Sequence, residues 1–165
     1  MGTKERIGKA LQKAARILPG IGSYQDKESL RETDKRLRDT LSTQLADHMN
    51  TIERLKTGIA RKGSLSSLKD LDDLSRHFDK VSRSLGFASR GYAAIFDSHQ
   101  VDEEALTKLF EFDQSLKEEV DLLDPLVSML SEKEEKLDAK ILDKARDLLL
   151  KIEKRINERE GLLKH

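Results

Sequence analysis

Apolar residues recur every three or four positions along most of this chain, and very few residues interrupt the pattern. Between residues 26 and 62, Leu30, Leu37, Leu41, Leu45, Met49, Ile52, Leu55 and Ile59 keep a 3.6-residue period, which puts them on one face of an α-helix. Strands need alternation by two and a supply of β-branched and aromatic residues. The chain has two Tyr, five Phe and no Trp, so almost no sheet is expected. With 38% charged and 36% apolar residues, the pattern describes long helices, each with one solvated face.

The same period continues beyond Gly63. Ser67 is the expected N-cap of a helix running to Phe96 on Leu68, Leu71, Leu74, Phe78, Val81, Leu85, Ala88, Tyr92 and Ile95. Gly86 and Gly91 fall inside it, each costing about 1 kcal/mol relative to Ala, and are expected to mark close helix contact. Asp102 caps a third stretch, with Glu103 and Glu104 on the positive end of the helix dipole. Its apolar face is Leu106, Leu109, Phe110, Leu116, Val120, Leu123, Val127 and Leu130. Pro125 within that run implies either a kink or a restart with Asp124 as N-cap. Ser131 and Glu134 have capping-box spacing, which starts a final helix on Leu137, Ile141, Ala145, Leu148, Ile152, Ile156 and Leu163. The rival is one helix from 103 to 163. Short connections make the simplest body, residues 23–165, an all-α, antiparallel four-helix bundle with long helices.

Residues 1–22 differ in kind. Lys4, Arg6, Lys9, Lys13 and Arg16 stand against Glu5 alone, giving residues 1–19 a charge of +4 in a chain whose net charge is zero. Ile7, Leu11, Ala14 and Leu18 form one apolar stripe with Ile17 beside it, so the segment reads as a basic amphipathic helix. Pro19, Gly20 and Gly22 then form a hinge. Three uses follow for this arm: lying on an anionic membrane surface, docking on its own body, where residues 102–138 hold 13 acidic and 4 basic residues, or pairing with another chain. Its docking residues are Lys4, Arg6, Ile7, Lys9, Leu11, Lys13, Arg16, Ile17 and Leu18. Nucleic acid is the weaker partner, because the acidic body repels phosphate and no aromatic or Arg-rich reading surface accompanies the arm. The absence of cysteine fits a reducing compartment. No apolar run approaches the roughly 20 residues that cross a bilayer, and no secretory h-region is present. The expected location is cytoplasmic, with access to the inner face of the membrane.

Chemical signals are sparse. Of His48, His77, His99 and His165, only His77 shares a helix face with a carboxylate at i, i+4, Asp73, which is the spacing of a surface ion pair. No metal or cofactor site is assigned. Residues 19–22 lack the Gly-Lys-Ser/Thr ending of a phosphate loop. Phe87, Tyr92, Phe96, Phe110 and Phe112 bracket the turn between the second and third bundle helices and form either a core plug or a partner pocket; Phe110 and Phe112 cannot both face inward. Asp113 lies between Phe110 and Leu116, and a surface-facing rotation accounts for it. Were it buried beside a carboxylate or histidine, a ligand-binding or catalytic site in the core would come into play.

The stretch P-G-I-G-S-Y-Q-D-K-E-S-L-R-E-T-D-K-R-L-R at 19–38 and G-Y-A-A-I-F-D at 91–97 resemble a family of small prokaryotic helical proteins of no assigned activity. The resemblance implies a helical fold and directs attention to the surface beside the hinge, namely Tyr24, Lys27, Glu28, Arg31, Asp34 and Arg38. The expected function is a non-enzymatic interaction or scaffolding module, with a protein partner or self-association and no small-molecule substrate.

Overall fold

The computed structural model describes residues 27–62, 64–97, 103–132 and 136–162 with isolated positions 2, 5 and 9; side chains within the helices are described over 32–62, 65–86, 108, 110–132 and 139–159. Five helices make up this body: α1 (Lys27–Lys62), α2 (Leu65–Asp97), α3 (Glu103–Asp121), α4 (Leu123–Glu132) and α5 (Ala139–Leu162). Because α3 and α4 follow one another along a single column, the result is a four-column bundle. All the described regular structure is helical.

α1 and α2 form a long antiparallel hairpin. Ser42 and Ser82 bond reciprocally, each hydroxyl donating to the other's carbonyl at 3.0 and 2.9 Å, and Lys56 meets Asp72 at 2.8 Å nearer the turn. The column of α3 and α4 forms a second antiparallel hairpin with α5. Between hairpins the helices run in like directions. Gln44 and His48 of α1 meet Asp121 and Asp124, while Asp70 and His77 of α2 meet Arg146 and Glu153 of α5. Parallel neighbours thus arise without long crossovers, through side-by-side packing of two hairpins.

The expected stripes form the core. Leu37, Leu41, Leu45, Ile52, Leu55 and Ile59 of α1 face Leu71, Leu74, Phe78, Val81 and Leu85 of α2, and Phe110, Leu116, Val120, Leu123, Val127 and Leu130 close the centre. Full burial of each such side chain contributes about 1.5–3 kcal/mol. On α5 the buried line is Leu142, Ala145, Leu149, Ile152 and Ile156, with Leu137, Ile141 and Leu148 only partly covered. The expected face was therefore rotated by part of a turn over the first half of this helix.

Several boundaries differ from expectation. α2 begins at Leu65 rather than after Ser67, and the Ser64 carbonyl accepts from the Leu68 N–H at 3.3 Å. At Leu122 the column breaks and restarts. The Leu122 N–H turns back to the Glu119 carbonyl at 3.2 Å, and Pro125 falls in the first turn of α4, where its missing N–H costs nothing. A continuous helix from 103 to 163 is ruled out, since α4 ends at Glu132. α5 starts not at Ser131 but at Ala139, capped by Asp138, whose Oδ1 accepts from the Lys140 N–H at 3.0 Å; the Ser131 hydroxyl instead donates to the Val127 carbonyl within α4. Gly86 is exposed, and a Cβ added there would meet nothing within 4 Å, so close helix approach does not explain it.

Among the described residues no helix is long and apolar enough to cross a membrane. Of the arm, Glu5 and Lys9 are helical and pair at 3.6 Å; Lys4, Arg6, Ile7, Leu11, Lys13, Arg16, Ile17 and Leu18, and the hinge at Pro19, Gly20, Gly22 and Tyr24, lie outside the described residues.

Candidate functional site: a buried carboxylate and guanidinium cluster

The apolar stripes end in charge. Asp34 and Arg38 follow the phase of Leu37 and Leu41 on α1, Asp113 sits between Phe110 and Leu116 on α3, and Arg159 continues the line of Ile152 and Ile156 on α5. Helical phase therefore aims all four side chains into the same end of the bundle. Asp34 and Asp113 are 0% exposed, Arg159 1% and Arg38 3%.

Arg159 is the centre of the cluster. Its Nε donates to Asp113 Oδ1 at 2.9 Å and its Nη2 to Asp113 Oδ2 at 3.0 Å, a two-pronged pairing that uses the planar fork of the guanidinium. The same Nη2 reaches Asp34 Oδ2 at 3.4 Å. Arg38 Nε donates to that oxygen from one turn along α1 at 2.9 Å. Three helices are thereby tied at one point, leaving Asp34 Oδ1 buried without a hydrogen-bond partner.

Charges removed from water require compensation. The formal charges of two carboxylates and two guanidiniums balance, but the balance is uneven between sites. Burial, and then the like charge of Asp34, push the Asp113 carboxyl well above the ordinary aspartate value, against the pull of Arg159. A carboxyl with a raised pKa next to an unpartnered carboxylate oxygen is a group able to hold a proton. Strongly perturbed buried acids of this kind occur both at functional sites and in structural networks.

A polar ladder continues along α3 and α5. Arg155 lies over the Phe112 ring, its guanidinium carbon 4.6 Å from the centroid. It also donates to Ser115 Oγ at 2.6 Å and pairs with Glu119 at 2.8 Å, which Lys151 joins at 3.2 Å. On the opposite side of α5, Glu153 takes His77 at 2.5 Å and Lys80 at 2.6 Å. Those contacts, Lys80 first and His77 next, hold the Glu153 carboxyl below its ordinary value.

Asp34 and Arg38 are not surface residues beside the hinge; Asp34 is buried against Arg159 of α5, and Arg38 is buried with Asp34 as its partner one turn away on α1. Asp113 does not rotate outward, since Arg159 neutralises it in place. Arg159 is inconspicuous in the sequence, where its register with Ile152 and Ile156 is the one signal of burial. His77 pairs with Glu153 of α5 and not with Asp73. Of the aromatic group, Phe110 is fully buried and unavailable as an anchor, and Phe112 is half-covered by Arg155. Phe87, Tyr92 and Phe96, with Lys27, Glu28 and Arg31, lie outside the described side chains. Among the described residues no three metal-ligating side chains converge.

Comparison of the chain with protein families, with curated proteins and with solved structures finds no match.

Proposed function

We propose that this protein is a non-enzymatic interaction module, in which a helical bundle carries a basic amphipathic N-terminal arm that docks reversibly on an anionic surface. The observation that carries the reading is the separation of charge, +4 over residues 1–19 against 13 acidic and 4 basic residues over 102–138. A basic face attracts anionic lipid headgroups by about 1 kcal/mol per Lys or Arg near the surface, and Ile7, Leu11 and Leu18 supply apolar area to enter the interface. The bundle contributes a body tied together by its buried cluster. Co-sedimentation with vesicles of phosphatidylglycerol and phosphatidylcholine tests this. The full chain should bind in proportion to the anionic lipid and lose binding on K9E/K13E; equal binding by both, or none by either, rejects the membrane surface and leaves a protein partner for the arm.

A second reading is favoured by Asp113 lying buried beside Asp34: a ligand or catalytic site in the core. Arg159 occupies both oxygens of Asp113 and Arg38 occupies Asp34 Oδ2, so Asp34 Oδ1 is the one acceptor this reading has to offer. A ligand for it must donate a hydrogen bond. Amines and alcohols that raise the melting temperature of the wild type but not of Asp34→Asn would support this second reading over a purely structural cluster.

A further inference from the structure

Leu122, Leu126 and Met129 follow one another at i, i+4 and i+7 on the outer side of the α3–α4 column. Leu122 is 58% and Met129 47% exposed, and Leu126 is half-buried. Exposed Glu118 and Glu132 lie one turn from Leu122 and Met129 respectively, within the most acidic part of the chain, whereas Asp121 and Asp124 turn to Gln44 of α1. An apolar stripe edged by carboxylates is complementary to a basic helix with an apolar stripe, and the arm offers the same spacing in Ile7, Leu11 and Ala14.

Connectivity brings the two within reach. Gln44 of α1 donates to both Asp121 and Asp124, so α1 runs beside this column. The rise from Lys27 to Gln44 is about 25 Å, and the connection over residues 19–26 spans up to roughly 26–29 Å when extended. We infer that the outer face of α4 is the resting seat of the chain's own N-terminal arm, covering Leu122, Leu126 and Met129 until an anionic surface competes for it. The inference rests on the arm being the docking element proposed above, and it adds autoinhibition: the same apolar residues serve the seat or the surface, never both. The occupant is the arm of the same chain, since a tether this short gives it a high local concentration without assembly.

The lack of native cysteine permits a direct test in the full chain. Under mild oxidation at low protein concentration, L11C/M129C should form an intrachain disulfide about tenfold faster than L11C/L150C. Leu150 is the control because it is 56% exposed on the α2 side of α5, between Arg146 and Glu153. Equal rates, or disulfides only between chains, overturn the seat. In a second measurement, L122D/M129D should bind anionic vesicles several-fold more tightly than wild type with an unchanged helical circular dichroism spectrum; unchanged binding by a vesicle-binding wild type counts against autoinhibition. If the selective disulfide forms but neither protein binds vesicles, the seat stands and the anionic-membrane reading fails.

Discussion

The two ends of the bundle solve the same packing problem with opposite chemistry. Toward the α1–α2 turn, Leu55, Ile59, Leu71, Leu130 and Leu142 meet as hydrocarbon. At the other end Asp34, Arg38, Asp113 and Arg159 take up equivalent inward positions as ions. Hydrocarbon packing tolerates many combinations of similar volume, whereas a two-pronged guanidinium pairing exists at one register and one rotation. The comparison teaches that the apolar end supplies cohesion, and the charged end, at a desolvation cost, ties α1, α3 and α5 at one relative height.

The largest effect should come from unbalancing the charged end. Arg159→Met leaves Asp34 and Asp113 buried with one cation fewer and should cost about 3–5 kcal/mol in urea unfolding; Asp113→Leu added to it should recover a large part of that loss. Full additivity of the two losses would show that the residues do not act as a pair. At the apolar end, Ile59→Ala should cost about 2–5 kcal/mol by cavity formation, with no rescue from any single neighbour. The contrast between rescue and no rescue separates the two chemistries.

The pH dependence sharpens the same contrast. Because its folded pKa is raised, Asp113 contributes stability that is complete below the ordinary aspartate value and declines as pH rises through the higher folded one. Glu153 behaves oppositely: its pKa is lowered, so its contribution is present above the ordinary glutamate value and is lost as pH falls through the lower folded one. Urea midpoints measured in the acid range should therefore lose a falling component in Asp113→Asn and a rising one in Glu153→Gln. Identical curves for wild type and Asp113→Asn would mean that the Asp113 pKa is the same in the folded and unfolded chain.

Smaller effects come from helix ends and surfaces. Asp138→Ala removes the cap of α5 and should cost about 1 kcal/mol. Gly86→Ala should raise stability by about 0.5–1 kcal/mol in the same assay, since it lies in an exposed helical position with open space around it; a loss would point to a close contact made by the neighbouring turn.

Much of the helical architecture was legible as periodicity. The α1 stripe from Leu37 to Ile59 and the α2 stripe from Leu71 to Leu85 are buried as the 3.6-residue phase requires. The start of α5 was not legible, because Ser131 and Asp138 are both competent caps and only packing of α4 against α5 selects between them. The candidate site was half legible. Asp113 was conspicuous as a charge inside an apolar face, while Asp34 and Arg38 were hidden among other charges and Arg159 belonged to a helix end rich in them.

By itself, the amino-acid order determined that the chain is helical, where most helices break, and that its first 19 residues differ in charge from the rest. These are consequences of local geometry, in which a residue's face follows from its position in the turn. Only the tertiary structure decided which helices lie side by side and which charges are buried, because a charge becomes tolerable inside a protein through a partner that can be 46 or 125 residues away, and local sequence carries no measure of that distance.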